Sequence, residues 1–330
     1  MSDHAAAIAA AASASPMTNN AVPVERRVLL VDGDGLAYYC AGNDETSIGE
    51  ARARLIEKVK GAQRASGAES VRILLTNSGS HKGHRYAIAR VKPYQGQRVN
   101  SRRPENWRGL RELMETGSVP FTIEGTSVAE ADDLFGYYAY RSPDDVVIYT
   151  QDKDMRMLPG RHLDWVSNRM HYVGWATNLD GTLTVLDSVF NDKQYGPLWF
   201  WLQMLHGDTA DHIPGLPRYR VYSADALKSC GEITAKKMLS GWAFPKGQYI
   251  KEVSHWYRTC YGDRWLVEML EQACLLWMRR DPGKWDDCLA PGGPLAIFND
   301  GSHGLATAWA EINERVQNAD TINTLSAEGQ

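Results

Sequence analysis

The chain has 330 residues, room for one large domain or two modest ones, and its apolar and charged fractions of 43% and 23% are those of an ordinary globular protein. No apolar run reaches the length of a membrane span, and five scattered cysteines without CxxC spacing argue against structural zinc and suit reduced thiols, so a cytoplasmic location with no membrane partner is expected; a monomer is expected as well. The formal net charge of −4 gives no bulk sign of a nucleic-acid partner, and the local distribution of charge has to speak instead.

Residues 1–24, "MSDHAAAIAAAASASPMTNNAVPV", are Ala-rich, lack the basic and apolar regions of a secretory signal, and read as a disordered tail. "VLLVD" is an apolar run closing on Asp-Gly, which predicts a buried strand. Helical composition over 46–64 precedes a second strand, "VRILLT". From His81 to Arg111 the chain carries Lys82, Arg85, Arg90, Lys92, Arg98, Arg102, Arg103, Arg108 and Arg111, with Glu105 alone against them. A third strand, "VPFTIEG", leads to "SVAEADDLFGYYAYR", whose spacing predicts a helix with Val128, Leu134 and Tyr138 inward. "DDVVIYT" is a fourth strand, followed by "QDKD".

Strands alternating with helices over 25–190 predict an α/β domain with a mostly parallel central sheet flanked by helices. From 191 to 330 the pattern is helical, in "YGPLWFWLQMLHGD", "GEITAKKMLSGW" and "SHWYRTCYGDRWLVEMLEQACLLWMRR", with tryptophans assigned to helix packing.

Acidic groups recur where strands end or helices begin: Asp32 and Asp34; Glu130, Asp132 and Asp133; Asp152 and Asp154; Asp208 and Asp211. Each has a bland reading. Asp-Gly after a strand is turn chemistry, Ser127 to Glu130 fits a capping box, and Asp208 fits an N-cap. Together they point elsewhere, because strand ends of an open parallel sheet converge on one edge. So many carboxylates at one place repel unless a cation joins them. Oxygen ligands without His or Cys suit hard ions such as Mg²⁺ or Mn²⁺. Asp32-Gly33-Asp34 also fits the DxD of haloacid-dehalogenase-type phosphatases, but Leu36 and Ala37 stand where that motif needs Thr or Val, and the other acids stay unexplained.

At these residues the chain resembles the flap endonuclease and 5′-3′ exonuclease superfamily, especially the exonucleases of tailed phages. "LLVDGDGLAYY", "EADD", "TQDKDMRML" and "GDTADHIPGLP" stand in the family's order over about residues 27–240. The resemblance implies a nuclease core with a helical arch over 81–111 and a C-terminal helical region over 191–330 holding a helix-three-turn-helix. It implies two Mg²⁺ or Mn²⁺ ions held by Asp32, Glu130, Asp132, Asp133, Asp152, Asp154, Asp208 and Asp211, and a K⁺ at the helix-three-turn-helix. Lys92, Arg98 and Arg85 would assist at the phosphate being cut. Lys82, Arg102, Arg103, Gly215, Gly231, Thr234 and Lys236 would contact DNA.

The implied partners are DNA with 5′ ends, flaps or nicks, and RNA of RNA–DNA hybrids, in phage replication or host-DNA degradation. Three departures stand out. Asn77 replaces an aspartate ligand after the second strand, Gln95 of "YQGQR" replaces an arch lysine, and an insertion around "RYRVYSADALKS" splits the helix-three-turn-helix. Asn77 and Gln95 leave open a DNA-binding relative that has lost activity. A PIN-like ribonuclease is the other alternative.

Overall fold

β1 (Val24–Asp32) is the apolar run, and its side chains alternate between two cores. Leu29 and Val31 pack with helices Gly33–Cys40, Ile48–Ser66 and Asn106–Glu115. Leu30 faces the other way, among Leu74, Phe135, Ile148 and the C-terminal helices. A strand buried on both faces needs this continuous apolar composition. The computed structural model describes residues 23–98, 102–217, 219–220, 227–228, 230–240, 249–300 and 304–328. The Ala-rich tail thus lies outside the described residues up to position 22, and Val24 already belongs to β1.

β2 (Ala68–Thr76), β3 (Thr122–Thr126), β4 (Val146–Tyr149), β5 (Gly160–Leu163) and β6 (Met170–Val173) complete a six-stranded sheet in the order β3-β2-β1-β4-β5-β6. All neighbours are parallel except β5 and β6. The chain runs outward from β1 through β2 to β3, then returns to place β4 on β1's other side. That reversal opens a crevice at the carboxyl ends of β1 and β4, where ligands of open α/β sheets bind.

The helix after β3 spans Ala131–Arg141 with Glu130 as its N-cap, three residues later than the Ser127 capping box predicts. Val128 therefore lies outside it and is 54% exposed, whereas Leu134 is buried. Two hairpins between β6 and the helical region, Trp175–Thr177 with Leu183–Val185 and Ser188–Phe190 with Lys193–Tyr195, are absent from the sequence reading.

Beyond them come helices Pro197–His206, Glu232–Leu239, Tyr249–Tyr261, Trp265–Leu276 and Leu305–Glu328. Their apolar faces share one core with the sheet, from Leu30 through Trp199 and Leu270 to Ile312, so packing is continuous across residue 190. Among the described residues of 81–111 there are two short turns, Lys82–His84 and Gly96–Arg98, a one-turn helix Arg85–Ile88, and the helix Asn106–Glu115. No helix among the described residues is long and apolar enough to cross a membrane.

Candidate metal centre

The crevice is a cavity of about 810 Å³ with an acidic floor and a basic and aromatic rim. Asp32, Asp34, Glu130, Asp132, Asp152 and Asp211 line it, with Lys82, Arg98, Arg103, Arg111, Tyr38, Tyr86 and Trp107 around them.

Asp32 ends β1 and caps the next helix, accepting from Gly35 N–H at 2.8 Å and from Thr150 Oγ1 at 2.9 Å. Glycine at 35 is required, because a Cβ there would lie 2.4 Å from Asp32 Oδ2. Burial outweighs these bonds and raises the Asp32 carboxyl. Asp34 instead pairs with Arg111 and accepts from Thr76 N–H at 3.2 Å, tying the helix after β1 to the end of β2. Asp152 is half-buried at the cavity wall, and loss of water around it, with Asp211 and Asp32 nearby, pushes it up to about 6.

Asp132 differs from its neighbours. Among the described residues nothing donates a hydrogen bond to its carboxylate, and burial followed by Asp152, Asp32, Glu130 and Asp211 pushes it well above the usual range. An acid surrounded by acids is a cost that a bound cation would remove. The donors are all oxygens, so the residues present fit a hard divalent ion.

Asp154 and Asp208 do not line the cavity, and they meet it through Asp211. Asp154, Asp208 and Asp211 are buried, with one oxygen each lying within 4.8 Å of the others. Asp154 Oδ1 accepts from the Gln203 amide at 2.5 Å. Asp133 is a correction. It is fully buried and held by Arg85 in a bidentate pair of 2.7 and 2.8 Å, away from the cavity. Burial opposes its charge, but Arg85 and Arg279 override that and hold its carboxyl below the usual range.

Arg85 is the matching correction. Its guanidinium has 0% exposure and also donates to the carbonyls of Leu275 and Trp277, so no phosphate can reach it. Lys92 is exposed on the turn beyond and does not line the cavity.

Arg98 does line it, and its Nη2 lies 2.6 Å from Asp211 Oδ1. Lys82 Nζ is 3.2 Å from Glu130 Oε1 and donates to Gln95 Oε1. Gln95 in turn donates to Asp211 Oδ1 at 2.9 Å, so the arch-lysine position holds an amide pinned between carboxylates. Lys82 and Gln95 both have left-handed backbones, with φ of 51° and 54°. Such strain costs about 1–3 kcal/mol per residue and is kept only where surrounding contacts enforce it. Asn77 lines the cavity and donates to Ser127 Oγ at 2.9 Å.

Of the residues expected at DNA, Arg103 lies on the rim with its guanidinium 4.1 Å from the Trp107 ring centroid, and Arg102 pairs with Asp44 in solvent. Gly215 (φ 66°) backs onto Gly207 so closely that a Cβ would sit 2.3 Å from the Gly207 nitrogen. Gly231 caps the helix Glu232–Leu239, Thr234 is half-buried, and Lys236 pairs with Glu232 at 2.8 Å. Between Pro217 and Cys230 only the two-residue strands Tyr219–Arg220 and Leu227–Lys228 are described, so the K⁺ geometry expected across this insertion lies outside the described residues.

Residues missed in the sequence include Tyr94, whose hydroxyl donates to Glu130 Oε2 at 2.7 Å, and Thr150, which holds Asp32. Gln203 had a readable signal as a polar residue in the apolar helix "PLWFWLQMLH".

No family model matches the chain, and no curated protein matches it. Among solved structures, the bacteriophage T5 D15 flap endonuclease in a pseudo-enzyme–product complex with DNA and metal ions is similar at 14% identity. Its TM-score is 0.49, over 88% of this chain and 99% of that one. The T5 5′-exonuclease with bound zinc is similar at 13% identity and a TM-score of 0.49, over 87% and 98% of the two chains.

At such identities the likeness is one of fold alone.

Proposed function

We propose that this protein is a divalent-metal-dependent nuclease that hydrolyses DNA phosphodiesters from or near 5′ ends, as a 5′-3′ exonuclease or 5′-flap endonuclease. The observation that carries the reading is Asp132, a carboxylate with no donor among the described residues, set among Asp32, Glu130, Asp152 and Asp211 at the sheet's switch point beneath a cationic rim.

Asp32, Glu130, Asp132, Asp152 and Asp211 would hold Mg²⁺ or Mn²⁺, with Asp154 and Asp208 behind them. When bound, such ions supply Lewis-acid activation of water and charge stabilisation at phosphorus. The chain's own part is positioning. Gly35 and Thr150 orient Asp32. Tyr94 orients Glu130. Lys82 and Arg98 stand over the acids where a phosphodiester would bring its charge. Arg103 and Trp107 offer a guanidinium and a ring for backbone and base, contacts that tolerate sequence.

A second reading, a DNA-structure-binding protein without cleavage, is favoured by Asn77 and by Gln95, neither of which brings charge to the site. The deciding experiment incubates 5′-labelled and 3′-labelled duplex and flap DNA with the protein, with and without Mg²⁺. Metal-dependent products are expected, and their lengths separate exonuclease from flap action. Asp132→Ala is expected to lower the rate by more than about a hundredfold, the scale of several kcal/mol of lost charge stabilisation, while leaving DNA binding. Tight binding with no products in the presence of Mg²⁺ would establish the second reading instead.

A further inference from the structure

Lys153 has no part in the reading so far. It opens the turn Lys153–Met157 after β4, with its ammonium 2.5 Å from Asp208 Oδ2 and 3.5 Å from Asp154 Oδ1. The other oxygen of Asp208 accepts from Ala210 N–H at 2.8 Å. Both oxygens of Asp208 are therefore satisfied by the chain itself, whereas Asp132 receives no donor among the described residues. The acids of the centre thus fall into two groups. A front group faces the cavity, and a back pair, Asp154 and Asp208, shares a built-in monovalent cation.

We propose that Lys153 is a tethered counter-ion that competes with a second divalent ion for Asp154 and Asp208, so that the centre binds its two ions unequally. The proposal rests on the metal-centre reading above. One ion would enter among Asp32, Asp132 and Asp152, cavity acids that form no ion pair with a described lysine or arginine, whereas Glu130 and Asp211 are paired with Lys82 and Arg98. A second would need Asp208, and could take it only as the ammonium leaves. Departure is sterically open, because the Lys153 side chain is 31% exposed while Asp208 is 1% exposed. A lysine is suited to such a place, being a point charge on a flexible stem that can exchange one position for solvent. An arginine fork would be harder to displace.

The test counts Mn²⁺ ions bound to the full chain, without DNA, by electron paramagnetic resonance of the free ion. The unmodified protein is expected to bind one ion at least about tenfold more tightly than the next, a gap of about 1.4 kcal/mol. Lys153→Met is expected to tighten the second ion by about tenfold, whereas Lys153→Arg leaves it weak. In parallel, acylation of Lys153 in the unmodified chain, read by peptide mass spectrometry, should rise at the Mn²⁺ concentration that fills the second position. This readout does not depend on any variant folding. A second ion no tighter in Lys153→Met, or Lys153 labelling that stays flat while the second ion binds, would overturn the proposal alone. Failure of the unmodified chain to bind any Mn²⁺ would overturn the metal-centre reading with it.

Discussion

Asp132 and Asp133 are adjacent in "EADD", and sequence alone treats them as a pair. On a helix they point about 100° apart. Asp132 turns to the cavity, and Asp133 turns into the protein, where Arg85 and the Arg279 backbone meet it. The count of acids was legible in the sequence and so was their convergence. Which acid faces solvent was not, because that depends on where the helix starts, and it starts three residues late. Arg85 was misread for the same reason, as a charge in a basic run rather than the partner of a buried acid.

The pairing makes a stability prediction at this scale. Arg85→Met leaves Asp133 buried without its cation and is expected to cost about 3–5 kcal/mol. The double variant Arg85→Met/Asp133→Leu should recover much of that loss. Urea denaturation of the three proteins checks it, and equal stability of the double and single variants would show that the pair is not the cause.

Among the elements, β1, β2 and β4 were readable because each carries an apolar run buried on both faces. The pieces between 160 and 195 were not, since they are strands of three or four residues with polar side chains that repeat no period.

One of these pairs sets a pH limit. His162 on β5 faces His171 on β6 in register. Burial, with His171 opposite, pushes His162 down to about 4, and burial alone brings His171 down to about 4. Both rings are therefore neutral in the native state at pH 7. As pH falls from about 6.5 to about 4 the unfolded chain takes up protons that the native chain refuses, so stability is full above that window and lost within it. For His162 the loss reaches about 3 kcal/mol by pH 4. His162→Gln keeps a donor for Leu158 O and should flatten the acid limb in denaturation curves measured from pH 7.5 to 4.5. An unchanged limb would place the acid sensitivity elsewhere.

At the scale of the whole molecule, the site is assembled from distant stretches that no local reading connects. "YQGQR" lies along the loop of "GDTADHIPGLP": Gln95 N–H donates to Asp211 O at 3.0 Å, Arg98 Nε donates to Ala210 O at 3.0 Å, and Gln97 reaches Thr209 O across 112 positions. Each motif was visible in the sequence, but their contact was not. The basic rim belongs to this scale too. If it tracks a phosphate backbone, Arg103→Ser should weaken DNA binding about equally for all sequences, and it should reduce the slope of log affinity against log salt by about 0.9. Titrations in the Asp132→Ala background over a range of salt would measure this. A loss confined to one sequence would instead mean base readout.

Arg85 carries a last consequence, one of timing. The segment it anchors ends in Gln95 and Arg98 over the acids, yet Arg85 is itself held by the carbonyls of Leu275 and Trp277, and Arg279 donates to Gly83 O at 2.7 Å. A growing polypeptide that has left the ribosome only as far as Asp211 owns every acid of the centre and lacks the brackets that keep Lys82 and Gln95 in place. The centre is therefore completed late in synthesis, when the residues near 275–280 have emerged and folded back.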